Sequence, residues 1–244
     1  MTGFLASVST IEEALLAERL GADIIDLKNP MTGALGAISP ENISAIVAAL
    51  DNKTIVSATI GDLPLLPELI VPAVQETAAT GVDFIKIGLF NNGDLLGCMT
   101  ALQALIKRDN LALIAVLFAD QPVDLEQINH LANYGIRGVM LDTANKSSGS
   151  LCSLLSIDTL STFIEEARHN NLLCGLAGSL RLSDIETLAA LNPDYLGFRG
   201  ALCEQSQRTA SITAHKIRAI RKQLSVANNS LPVNGTTDTT SVAI

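Results

Sequence analysis

Tryptophan is absent from this chain and aromatic residues make up only 3% of it, so any core has to be packed from Leu, Ile, Val and Ala. Charged residues are sparse as well, at 17%, with a formal net charge of -9. No run of Lys or Arg is dense enough for the basic footprint that a phosphodiester backbone demands, which excludes nucleic acid as an expected partner. Cys98, Cys152, Cys174 and Cys203 show no CxxC spacing and have no histidine at zinc-finger distance. They are read as reduced thiols, with neither a metal knot nor a redox pair. The motifs GxGxxG and GxxxxGK[ST] are missing, which weakens dinucleotide and P-loop readings. The opening MTGFLASVST lacks the basic and apolar regions of a signal peptide, and no apolar run approaches a membrane span. A cytoplasmic protein without membrane association is expected.

What the chain does have is apolar surface: 48% of its 244 residues are hydrophobic, enough for one continuous core at a length usual for a single barrel of eight β/α units. Apolar strand-like runs alternate with amphipathic helical stretches. The runs are Gly3–Val8, Asp23–Leu27, Thr54–Ile60, Phe84–Leu89, Leu111–Ala119, Gly138–Thr143, Leu172–Ala177 and Tyr195–Phe198, a pattern that calls for a parallel sheet covered by helices. A weak repeat agrees. GADIIDLK from Gly21 and GVDFIKIG from Gly81 have looser copies at Tyr134–Asp142 and Asn192–Arg199. Each reads as a helix closed by a left-handed residue and followed by a strand. A (β/α)8 TIM barrel over residues 1–224 is the expected fold, with a doubly wound open sheet as the alternative. From Ser225 onward the composition turns to Ser, Thr, Asn, Pro and Gly, and residues 225–244 are read as a flexible polar tail.

In a barrel the active site lies at the C-terminal ends of the strands, and interior side chains alternate with helix-facing ones. Placing Ile25 and Leu27 against the helices turns Ile24, Asp26 and Lys28 inward. The same parity points Lys86 inward, and Asp142 with it, and carries on into the following loop at Lys146. Such residues can be interior ion pairs of no further consequence. Several buried amines, however, cost stability unless they serve a purpose. Close cations and partial desolvation lower a lysine's pKa and free an amine to attack a carbonyl, giving an iminium that acidifies the neighbouring carbon. Lys28 is the expected nucleophile and Lys86 the proton acceptor, on a small phosphorylated carbonyl substrate. Phosphate capture is expected from the loops after the seventh and eighth strands: Gly178 and Ser179 in GLAGSL, and Arg199, Gly200 and Ala201 in GFRGA. The bland reading of these is two tight turns. Asp62 and Asp120 stand at the same rim, to orient substrate or to cap helices. His130, His169 and His215 lie in helical patterns and are read as surface residues.

These same stretches, GADIIDLKNP with GALGA, then VSATIGD, DFIKIGL, MLDTANK, LAGSL and GFRGALC, resemble the (5-formylfuran-3-yl)methyl phosphate synthases, which make the furan precursor of methanofuran and methylofuran. The resemblance runs through most of the chain and is specific as a set. It implies a TIM-barrel lyase that condenses two molecules of glyceraldehyde 3-phosphate with loss of one phosphate and two waters. It also implies Lys28 as the Schiff-base lysine, Lys86 as the proton acceptor, and Asp26, Asp142 and Lys146 as further active-site positions, without metal or organic cofactor. A homo-oligomer is expected. Where the family often follows the last lysine with Asp-Gly, this chain has Ser147-Ser148-Gly149, and its polar tail is additional. A bacterial one-carbon metabolism is favoured over an archaeal one. The rivals are a class I aldolase releasing a linear sugar phosphate, and a noncatalytic barrel that only binds a phosphorylated ligand.

Overall fold

The repeated corners explain why the chain closes on itself. Gly21, Gly81 and Gly135 take positive φ of 85°, 87° and 87°, and Asn192 takes 57°. Each ends a helix and turns the chain into the next strand. The backbone N–H groups of Asp23, Asp83, Arg137 and Asp194 then donate to carbonyls of Phe4, Val56, Leu113 and Cys174 in the preceding strand. The carboxylates of Asp23, Asp83 and Asp194 accept in return from the N–H groups of Phe4, Val56 and Cys174, at 2.7, 2.8 and 2.6 Å. One polar residue thus stitches each corner to its neighbour, and repetition propagates a parallel sheet.

The computed structural model describes residues 1–51, 54–145 and 148–230. Its strands are β1 (Gly3–Val8), β2 (Ile24–Leu27), β3 (Ile55–Thr59), β4 (Phe84–Gly88), β5 (Leu113–Phe118), β6 (Gly138–Asp142), β7 (Leu173–Leu176) and β8 (Tyr195–Phe198). All pair in parallel and in sequence order, and β8 returns to β1, so the ring is a closed barrel. The expected TIM barrel is the observed fold; β1 and β8 keep the bounds of the sequence reading and the other strand ends lie at most two residues inside it. Around it run α1 (Ile11–Arg19), α2 (Pro40–Ala49), α3 (Pro67–Ala78), α4 (Leu95–Asp109), α5 (Glu126–Asn133), the short α6 (Leu151–Leu154), α7 (Ile157–His169), α8 (Ile185–Ala190) and α9 (Ala214–Ser230). Ser and Thr hydroxyls, or an Asp carboxylate, cap several helix starts: Thr10 for α1, Ser39 for α2, Asp94 for α4 and Ser156 for α7.

Two apolar clusters divide the core. The larger lies between strands and helices; the smaller fills the barrel interior with Leu5, Ile24, Ile114, Val116, Phe118, Met140 and Tyr195. The boundary expected at Ser225 is corrected, because α9 continues to Ser230. Ala227 is buried, and the Asn228 amide pairs with Thr2, accepting from its N–H at 2.9 Å and donating to its carbonyl at 3.0 Å. That clasp ties the last helix to the first strand and overrides the polar composition. The rest of the expected tail, residues 231–244, lies outside the described residues. Among the described residues no helix is long and apolar enough to cross a membrane.

Candidate active site

Parity decides which side chains enter the barrel, and the structure follows it. Asp26, Lys28, Lys86 and Asp142 all point inward and are at most 7% exposed. Asp26 is fully buried, and its carboxylate accepts from Lys86 Nζ at 2.7 Å, from Ser57 Oγ at 2.7 Å and from Ser7 Oγ at 2.8 Å. Burial pushes this carboxyl up, but the ammonium groups of Lys86 and Lys28, with the hydrogen bonds from Lys86 and Ser57, outweigh it and hold Asp26 below the usual carboxylate range. Lys86 moves down as well: burial disfavours its charge, the nearby Lys28 adds to this, and Asp26 and Asp142 oppose it without cancelling it. One layer higher, Lys28 Nζ stands 3.6 Å from Asp142 Oδ2, while Asp142 Oδ1 accepts from the Thr143 N–H at 2.7 Å. Lys146, the further lysine expected here, lies outside the described residues.

Above these pairs opens a cavity of about 540 Å³ with Lys28 and Asp142 in its wall. Among the described residues its lining comes from β1, β6 and β8, from the segments that follow β2, β7 and β8, and from α9; β3 to β5 supply none. The other half of the mouth is sealed by the loop between β2 and α2. Ala34 and Leu35 are buried among the barrel-interior residues, beside Phe118, whose ring stacks on Phe90 at 4.5 Å between centroids. Asp62 holds this loop down, accepting from the N–H groups of Ala34 and Leu35 at 2.8 and 2.7 Å, and Thr59 Oγ1 donates to the Gly36 carbonyl at 3.1 Å. Gly33, at φ 113°, has no room for a side chain, since a Cβ would meet Asp62 at 2.0 Å. Asp120 does the same for the loop after β6, accepting from the N–H groups of Ala144 and Asn145 at 2.8 and 2.6 Å. Both rim aspartates therefore shape loops; neither caps a helix.

The loops after β7 and β8 meet at the opposite wall. Gly178 and Ser179 turn with φ of 103° and 53°, and Gly200 and Ala201 begin a single 3-10 turn. All four line the cavity, and their N–H groups find no protein acceptor among the described residues. Preorganised donors of this kind suit an anion. The guanidinium fork expected of Arg199 is corrected. All five of its N–H bonds are spent inside the protein: on Glu13 at 2.6 and 3.2 Å, and on the carbonyls of Ser7, Arg208 and Ala210. The side chain braces α1 and the loop after β8, and no donor is left for a phosphate. Sequence reasoning missed Glu13, which looks like an ordinary helix-surface acid, and Arg208, which lines the cavity from the polar stretch after β8. Position alone could have flagged Arg208. The three histidines are exposed on helices, as expected. Among the described residues no group of His, Cys, Asp and Glu could hold a metal ion.

Comparison with known proteins decides the lineage of this site. The family model described as 4-HFC-P synthase matches residues 4–221. The chain belongs to this family. It is 43% identical over 213 residues, 87% of each chain, to a protein of Methylorubrum extorquens that carries the name (5-formylfuran-3-yl)methyl phosphate synthase provisionally. It is 34% identical over 216 residues to the (5-formylfuran-3-yl)methyl phosphate synthase of Methanocaldococcus jannaschii, covering 84% of this chain and 91% of that one. Among solved structures, phosphoribosyl anthranilate isomerase from Thermus thermophilus superposes with a TM-score of 0.66 at 22% identity, covering 93% of this chain and 99% of that one. That likeness concerns the barrel alone. Membership of the 4-HFC-P synthase family makes the chain an enzyme, and among the described residues Lys28, Asp142, Lys86 and Asp26 lie together inside the barrel.

Proposed function

We propose that this protein is a (5-formylfuran-3-yl)methyl phosphate synthase that condenses two molecules of glyceraldehyde 3-phosphate through a Schiff base on Lys28. The observation that carries the reading is Lys28 Nζ in the cavity wall, 3.6 Å from Asp142, above the buried Lys86–Asp26 pair. Family membership supports the product. The Lys28 amine adds to a substrate carbonyl and expels water, and Asp142 compensates the positive iminium. Lys86, whose basicity burial lowers against the opposing charge of Asp26, gives up its own proton more readily than an exposed lysine and, as the free amine, takes the proton from the adjacent carbon to leave an enamine. Asp26 positions Lys86 and steadies it when it carries that proton. The enamine carbon bonds to the aldehyde of the second molecule. Ring closure by a hydroxyl oxygen then accompanies elimination of one inorganic phosphate and two waters, so two triose phosphates yield one furan aldehyde phosphate, and the iminium is hydrolysed to release Lys28. The reaction class is lyase, its products are furan precursors for a one-carbon carrier, and it calls on no metal or organic cofactor. The N–H groups of Gly178, Ser179, Gly200 and Ala201 are suited to hold a substrate phosphate in this scheme.

Incubation with glyceraldehyde 3-phosphate tests the proposal. A near-ultraviolet furan chromophore should grow in step with released phosphate; a linear product without phosphate release would instead mark a class I aldolase. Borohydride reduction with substrate present should fix an adduct on Lys28, read by peptide mass spectrometry, and Lys28→Ala should abolish adduct and chromophore together. Normal turnover by Lys28→Ala would remove the Schiff-base mechanism.

A further inference from the structure

We propose that Arg208 is the cation that grips the phosphate monoester of the substrate, the task for which sequence position favoured Arg199. The inference rests on the phosphorylated substrate of the proposed function and adds the residue that selects it.

Four observations carry it. Arg199 has no free donor, since Glu13 and three carbonyls use all five. Arg208 lines the same cavity as Gly178, Ser179, Gly200 and Ala201, whose N–H groups are open. Among the described residues its guanidinium makes one hydrogen bond, to the Gly33 carbonyl, and no ion pair, although it is half-buried. A desolvated guanidinium with most of its fork unused is matched in shape and charge to a phosphate's oxygens. Finally, its place is fixed by the arginine that cannot bind: Arg199 Nε donates to the Arg208 carbonyl at 2.8 Å and Nη2 to the Ala210 carbonyl at 3.1 Å. One arginine is spent to aim the other.

The remaining cations of the cavity wall fit less well. Lys28 already faces Asp142 and is reserved for the carbonyl, Arg181 is exposed at the rim, and Lys216 belongs to the outer helix α9. Burial lowers the basicity of Arg208, against the charges of Asp142 and Asp62, which stand near enough to be felt. An arriving dianion would relieve that desolvation directly. Arg208 also holds the carbonyl of Gly33, on the loop that Asp62 ties down across the mouth.

Arg208→Gln tests this with two probes. Titration calorimetry with inorganic phosphate should show affinity weakened about 10- to 100-fold, the loss of one to two charge-assisted hydrogen bonds. Borohydride trapping on Lys28 should show the preference for glyceraldehyde 3-phosphate over unphosphorylated D-glyceraldehyde falling by a similar factor, with Arg208→Lys, which keeps charge but not the fork, intermediate. Phosphate affinity within about twofold of the native protein, or an equal loss for both aldehydes, would reduce Arg208 to a structural brace and overturn the proposal. A native protein that binds no phosphate would do the same. If no furan forms yet Arg208→Gln still loses phosphate affinity, the proposed product falls and the role of Arg208 stands; if furan forms and the variant keeps its phosphate affinity, the product stands and the role of Arg208 falls.

Discussion

Replacing Lys86 by Met isolates the buried pair on which the site is built. Lys86 and Asp26 are 2% and 0% exposed at their side chains and 2.7 Å apart. Removing the amine leaves a carboxylate in the barrel with only Ser7, Ser57 and the more distant Lys28 to answer it. A buried charge stripped of its partner costs about 3–5 kcal/mol. For a chain of this size that lowers the thermal midpoint by about 6–20 °C near neutral pH. The loss should depend on pH. In the native protein Asp26 titrates below its unfolded value, so its contribution is present above the unfolded pKa and is lost as pH falls through the folded one. In Lys86→Met burial acts with little opposition, the Asp26 carboxyl rises above its unfolded value, and protonation as pH falls through that raised value removes the uncompensated charge. Urea unfolding followed by circular dichroism at about pH 8 and about pH 5 should therefore show the gap to the native protein narrowing in acid. Lys86→Met combined with Asp26→Asn should recover part of the loss, because the amide is uncharged and still accepts a serine hydroxyl. A Lys86→Met protein within about 1 kcal/mol of native at pH 8, or a gap that widens in acid, would refute a charged, mutually compensated pair.

Asp26→Asn should move the rising limb of the kcat–pH profile to lower pH, because burial lowers the Lys86 pKa and the Asp26 charge is what resists it; an upward shift would contradict Lys86 as the base. Arg199→Gln should destabilise by about 3–5 kcal/mol in thermal melts, since it leaves the Glu13 carboxylate buried beside the carbonyls it had shared with the guanidinium. Near-native stability would deny it the bracing role. Gly175→Ala should cost about 1–3 kcal/mol by overpacking, as its Cβ would meet the Tyr195 ring at 2.2 Å in the barrel interior, measured as a shift in urea midpoint.

Strand alternation is enough to orient Asp26, Lys28, Lys86 and Asp142, because a period of two leaves a side chain only two directions and the apolar neighbours claim one. The corner motifs likewise announce the barrel, each being a local turn with its own backbone geometry. Pairings across long separations are not legible. Arg199 meets Glu13 at a separation of 186 residues, and Asn228 meets Thr2 at 226. No local pattern distinguishes such a partner from a solvated side chain, so Arg199 reads as a phosphate ligand and the helix around Asn228 as tail. The seal of Ala34 and Leu35 is of the same kind: which loop dips into a barrel mouth depends on Asp62 and Phe118, which belong to other units. Sequence by itself determined the ring and which residues turn inward, since each is set by backbone period and nearest neighbours. Only the tertiary structure decided which cations are spent on carbonyls and carboxylates and which remain open to a ligand, because that depends on the closure that brings the two ends of the chain together.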